Sequence, residues 1–267
     1  MKPVTFVLNP TVTYIDDLGQ TRTSNTRKFT INVQPAKPDF EVLPGRVATG
    51  YGELDKLLFG GIPEKYAVAL AAPPVDEREI LINHFLKTGA EAGETTFYIT
   101  VEPENARALA EKYQSNFYVF ICCSQADTAL QNLPNVYKLK GVENLTEIDI
   151  ALTKACRELD PSAAGHKRAC IQVTSDVLLQ HHALISRKWL GSLIANLKSK
   201  GFTALAVVNP SMHSPEELNA IMDLFDGEIR ITEEKSDKGR KKILEVVRLY
   251  NKRFSEEKLT LTKEGSL

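Results

Sequence analysis

From about residue 46 onward, short and almost purely apolar runs alternate with longer amphipathic ones, and this alternation limits the chain to few architectures. The apolar runs are YAVALAA, TTFYITV, NFYVFICC, RACI and FTALAVV. Each is too short for a buried helix and lacks the alternation of a half-exposed strand, so each reads as a strand covered on both faces. Between them lie EREILINHFLKTGAEAG, ENARALAEKY, TEIDIALTKACREL, HALISRKWLGSLIANLKSKG and EELNAIMDLF, with apolar residues near helical spacing and glycine closing two of them. Buried strands alternating with helices predict an α/β fold, a mostly parallel sheet flanked by helices. The last segment, GEIRITEE to KKILEVVRLY, predicts a C-terminal antiparallel hairpin on that sheet. A chain of 267 residues, 43% of them hydrophobic, can bury a core of this size.

The first 36 residues follow another rule. Val4, Phe6 and Leu8, then Val12 and Tyr14, then Phe29, Ile31 and Val33 alternate with other residues, which predicts three half-buried strands in a small N-terminal β extension. DDLGQ supplies a turn in which Gly19 takes a positive φ. Residues 37–45, rich in proline, read as a linker to a domain spanning 46–267. So few strands are marginal alone, so the extension is expected to be a docking or oligomerisation element.

Composition excludes several classes of function. The formal net charge is -1, so no basic field marks a nucleic-acid or membrane partner. No apolar run reaches the ~18 residues of a membrane span, and the N-terminus lacks the apolar core of a signal peptide, so a cytoplasmic protein is expected. The four cysteines, Cys122, Cys123, Cys156 and Cys170, make no CxxC pair and read as core residues rather than metal ligands. His181 and His182 are adjacent and so face apart on a helix. His213 reads as a loop residue, Ser214 with Glu217 as a helix capping box, residues 235–242 as a solvated basic turn, and Trp189 as core.

TGYGELDKLLFGGIPEKYAVALAAPP carries a more specific signal. It resembles the opening of KaiC-like, RecA-superfamily ATPases of archaeal type, through Thr49, Gly50, Leu54, Asp55, Leu58, Gly60, Gly61, Ile62 and Pro63. The resemblance runs on in order through roughly residues 46–265. It implies a RecA-type P-loop NTPase fold, a tendency to form rings, and four places to look for ATP chemistry. The weave TVTYIDDLGQTRT followed by FTINV resembles the closing strands of an immunoglobulin-like module.

At the first place, the phosphate loop, Ala72, Pro73, Pro74, Val75, Asp76, Glu77, Arg78 and Glu79 align with the family's G-x-x-x-x-G-K-[ST] stretch. Its glycines become Ala72 and Glu77, its lysine Arg78 and its hydroxyl residue Glu79. Asp76, Glu77 and Glu79 would face a triphosphate. One like-charge contact at about 4 Å costs on the order of 4 kcal/mol at an effective dielectric of about 20. At the second place the family's Walker B aspartate becomes Gln172, with Asp176 four residues on. At the third, Glu102 remains of a glutamate pair, followed by Pro103. At the fourth, Arg248-Leu249-Tyr250 keeps one cation of a Lys-x-Arg pair.

These changes lead to the expectation of a pseudo-ATPase without a cofactor or metal. It would act as a regulatory or assembly partner through protein contacts, with itself as a homo-oligomer or with an active KaiC-like relative. The alternative is a divergent ATPase that uses MgATP, with Arg78 on phosphate and Glu102 positioning water. A DNA-associated module is a third reading.

Overall fold

A computed structural model describes residues 4–8, 11–25, 28–33, 41–123, 133–159, 165–236 and 239–261. Part of the expected linker, two residues of the basic turn and the last six residues lie outside them. The chain divides into two compact units, Met1–Asp39 and Phe40–Leu267.

The first unit holds four strands rather than three. β1 (Val4–Leu8) pairs antiparallel with β4 (Phe29–Val33), and β2 (Thr11–Ile15) with β3 (Thr21–Asn25). β3 reads TRTSN, so no apolar period announces it; it becomes a strand because the turn returns it against β2. In that turn Gly19 has φ 72°, and the Asp16 carboxylate accepts from the amides of Leu18 and Gln20 and from Arg22 Nε. All of β2 and β3 is exposed, including Val12, Tyr14 and Ile15.

The second unit begins with β5 (Arg46–Val47), α1 (Gly52–Leu57), β6 (Ile62–Pro63) and β7 (Ala67–Ala71). There follow α2 (Asp76–Glu91), β8 (Thr95–Thr100), α3 (Arg107–Lys112), β9 (Phe117–Cys122), β10 (Val136–Leu139) and α4 (Leu145–Glu158). Next come β11 (Lys167–Ile171), α5 (Thr174–Ser199), β12 (Phe202–Val208) and α6 (Pro215–Met222). β13 (Gly227–Ser236), β14 (Gly239–Leu249) and β15 (Leu259–Leu261) close the unit.

Nine of these strands form one sheet in the order β10-β9-β8-β11-β12-β7-β13-β14-β15. The first seven, β10 to β13, are mutually parallel, while β14 runs antiparallel to β13 and β15 antiparallel to β14. Side chains alternate along each strand, so one strand feeds both layers of core. Tyr98 and Cys170 pack with Leu81, Phe85 and Leu86 of α2, and Phe97, Ile99, Ala169 and Ile171 pack with α4 and α5. This is the α/β fold with a mostly parallel sheet and terminal hairpin that the alternation predicts.

One residue of that core breaks the apolar pattern. Arg168 on β11 is fully buried. Its guanidinium pairs with Glu94 and donates to the carbonyls of Phe85 (2.9 Å) and Ala48 (3.0 Å), with the Phe85 ring 4.8 Å away. Gly89 of α2 makes room, since a Cβ there would collide with the arginine stem. A buried charge survives when its hydrogen bonds are filled, and here they join β11 to α2, to the turn after it and to the segment before α1. No described helix is long and apolar enough to cross a membrane.

Candidate functional site

The stretch ahead of α1 forms a closed hydrogen-bonded unit. The Asp55 carboxylate accepts from Thr49 N (2.7 Å), Thr49 Oγ1 (2.8 Å) and Gly50 N (3.2 Å). Burial pushes its pKa above the ordinary value, and the Thr49 bonds oppose that shift. Gly61 has φ 123°, and a Cβ there would strike the Val47 backbone. The motif thus ties β5, β6 and α1 together through contacts of its own, and Leu54, Leu57 and Ile62 share an apolar cluster with Val68 and Leu70 of β7.

β7 leads into the stretch Ala72–Glu79, which the sequence aligns with a phosphate loop. Ala72 continues the ladder, its N–H donating to the Val208 carbonyl (2.9 Å). Val75 then caps α2 in extended conformation without a side-chain hydrogen bond. Asp76, Glu77 and Glu79 fill the first turn, where the positive helix end favours carboxylates. Arg78 does not stand free: its Nε and Nη2 both donate to Glu79 Oε1, at 2.9 and 2.6 Å. Glu77 is buried and pairs with Lys242 of β14 (3.2 Å), which also reaches Glu233 (3.4 Å).

Beside this loop, the C-terminal ends of β7, β8, β11 and β12 open onto a cleft of about 270 Å³. Pro74, Arg78, Glu102, Gln172, Asp176 and Asn209 line it. The structure therefore gathers five of the residues named from the sequence, Pro74, Arg78, Glu102, Gln172 and Asp176. Gln172 Oε1 accepts from the buried Tyr98 hydroxyl and from Thr100 Oγ1 (2.9 Å). Glu102 is exposed, its amide donating to Thr100 Oγ1 (2.8 Å). Asp76, Glu77 and Glu79 do not line the cleft.

Asp176 enters by a route that the linear spacing hides. It lies off the strand register, but the first turn of α5 carries it back over the strand end. Burial holds its carboxyl above the usual range; Glu102 adds to the shift, while its own backbone N–H and Arg78 oppose it. Arg248 is elsewhere. It sits on β14 opposite Glu228, which pairs with Ala69 of β7, before the strand end that opens on the cleft. It donates to the Met222 carbonyl and to the Tyr250 hydroxyl (2.9 Å).

The remaining candidates fall into structural roles. Ser214 and Glu217 form the capping box of α6. His181 Nε2 lies 2.8 Å from the Val142 carbonyl, and His182 marks a break in α5, with φ 55°. Both ring nitrogens of His213 are shut off from solvent without a hydrogen-bond partner, and burial lowers its pKa. Trp189 is buried and donates to Asp149. The four cysteines are free, two buried and two half-buried; burial pushes the Cys122 thiol up to about 12. Among the described residues, no group of three or more His, Cys, Asp or Glu side chains could hold a metal.

Comparison with known proteins bears on this geometry. A family model described as "ATPase: KaiC" matches residues 47–264. A UPF0273 protein of Pyrobaculum aerophilum is 25% identical over 177 residues, 62% of this chain and 61% of its own length. One from Methanopyrus kandleri is 38% identical over 74 residues, 27% of this chain and 29% of its own. The chain thus spans less than two thirds of these relatives. A KaiC-like protein of the archaeon Pyrococcus horikoshii superposes with a TM-score of 0.60 at 20% identity, over 82% of this chain and 95% of that one. The neighbour shares the fold, and the family model spans the sheet and the cleft: the chain belongs to the KaiC ATPase family.

Proposed function

We propose that this chain is a non-catalytic member of its family that works through protein–protein contacts, as a regulatory or assembly partner of its own copies or of an active relative. The observation that carries the reading is the first turn of α2. Three carboxylates stand in the first turn of α2, the helix end at which a phosphate would be held, and the one cation there is not free. Arg78 is committed to Glu79, and Glu77 is buried against Lys242. The helix dipole is already met by the chain's own acids, so a triphosphate would displace ion pairs and meet like charge. Magnesium fits no better. Gln172 brings an amide whose oxygen is occupied twice, and Asp176 has no described third acidic, His or Cys partner. MgATP does not fit these residues.

Exposed apolar side chains support the second half of the reading. Ile15 and Leu18 in the first unit are 72% and 79% exposed, and Leu184 on α5 is 82% exposed. Singly exposed apolar residues are ordinary, and these side chains are the places where association can be tested. A divergent ATPase has one observation in its favour, that Arg78 and Glu102 line a common cleft.

Calorimetry with MgATP, paired with a phosphate-release assay, tests the reading. No saturable heat and no released phosphate are expected. Binding near a micromolar Kd, about -8 kcal/mol, would overturn it, and release lost in Glu102→Gln would favour the divergent ATPase. Sedimentation tests the contacts: Ile15→Lys with Leu18→Lys should weaken association.

A further inference from the structure

The cleft presents polar groups that the protein leaves without partners. Asn209 is only 8% exposed. Its Oδ1 accepts from the Ser211 amide (3.1 Å) and its backbone N–H donates to Ser175 Oγ (2.9 Å), yet its Nδ2 donates to no described residue. Gln172 spends its Oε1 on Tyr98 and Thr100 and leaves Nε2 open in the same way. Asp176 and Glu102 line the same space, and neither makes an ion pair with a described residue. Arg78 is the one cation among the described lining residues, and Glu79 holds it.

Asn209 is buried, Gln172 and Asp176 are half-buried and Glu102 is exposed at the rim, and a cleft on which a few polar groups converge is the usual form of a ligand site. The charges select its class. An anion would meet two carboxylates and no free cation. A neutral molecule would leave the half-buried Asp176 carboxylate unpaired. A bare metal ion lacks a sufficient ligand set among the described residues. A protonated amine needs only acceptors spread around it, which Asp176 and Glu102 supply. The volume, about 270 Å³, lies just below the usual range of ligand cavities, about 300 Å³ and up, so the molecule is the size of an amino acid.

We propose that this cleft binds a small organic cation, its protonated amine held by Asp176 and Glu102 and a neighbouring carbonyl oxygen accepting from the amide groups of Asn209 and Gln172. The inference rests on the reading that MgATP does not occupy the cleft.

Titration calorimetry on the full chain, at neutral pH and low salt, tests it with four separate probes: L-lysinamide, 1,4-diaminobutane, magnesium chloride and MgATP. Lysinamide should saturate one site and bind more tightly than the diamine, which lacks the carbonyl. Asp176→Asn should weaken lysinamide about tenfold or more by removing a partly buried charge contact. Glu102→Gln, at an exposed position, should weaken it less and guards against a folding defect in the first variant. Asn209→Ala should cost lysinamide more than the diamine, and Lys154→Ala on α4 should change nothing. No saturable lysinamide heat up to about 10 mM, weaker than millimolar binding, would overturn the proposal. So would unchanged affinity in a folded Asp176→Asn, or displacement of lysinamide by magnesium alone. MgATP reads the underlying proposal separately. If MgATP displaces lysinamide, the non-catalytic reading fails as well; if neither binds, only the amine fails.

Discussion

Two neighbouring stretches, Thr49–Pro63 and Ala72–Glu79, lie on either side of β7 and have different fates. The first keeps the family's residue types nearly throughout. The second aligns with the family's phosphate loop in length, and in the function proposed above its chemistry has changed. The structure gives a physical reason for the difference. Thr49, Gly50, Asp55 and Gly61 are tied to backbone and to one another, so the fold itself requires them. A phosphate loop is shaped for its ligand. If it holds no phosphate, as proposed, its constraint is the helix start alone, which Asp76, Glu77 and Glu79 satisfy.

Predictions follow from this contrast in order of size. The buried network under the first stretch should be the least tolerant. Arg168→Met would leave Glu94 and the carbonyls of Ala48 and Phe85 without their partner, at a cost of roughly 3–5 kcal/mol in urea unfolding. A loss under about 1 kcal/mol would mean that the network contributes little. Asp55→Ala comes next. It strands three donors in a buried site and should cost roughly 3 kcal/mol, read the same way.

Glu77→Ala probes the second stretch and should cost about 1 kcal/mol, since it removes one ion pair and one favourable charge at a helix start. If Glu77→Ala were as costly as Asp55→Ala, the contrast between a required and a released stretch would break. The smallest effect is a pH dependence at His213. Burial holds its folded pKa below the ordinary 6.5, so the unfolded chain binds more protons in that window. Stability is complete above pH 6.5 and falls as the pH drops from there through the folded pKa. His213→Gln should flatten this part of the stability profile while leaving the neutral plateau nearly unchanged. An unaltered slope would place the acid sensitivity elsewhere.

Much of this molecule was legible beforehand. The alternation of apolar and amphipathic runs determines a parallel sheet covered on both faces, because a strand with no polar face must be covered twice. The spacing of Thr49, Asp55, Gly60, Gly61 and Pro63 specifies the family, because those residues serve the chain's own backbone. The identities at Ala72–Glu79 give the sign of the charge at the loop. Distance through space was not legible. The sequence sets Asp176 off the strand register, yet a helical turn brings it back into the cleft. It treats Arg168 as one residue of a strand, yet packing against Gly89 makes it the centre of a buried network. TRTSN carries no apolar period and becomes a strand only because a turn folds it onto its partner. Arg248 is separated from the cleft by sheet register. Local patterns fix which face of each element seeks the core, whereas the meeting of polar groups depends on which elements pack together, and only the tertiary structure decided that.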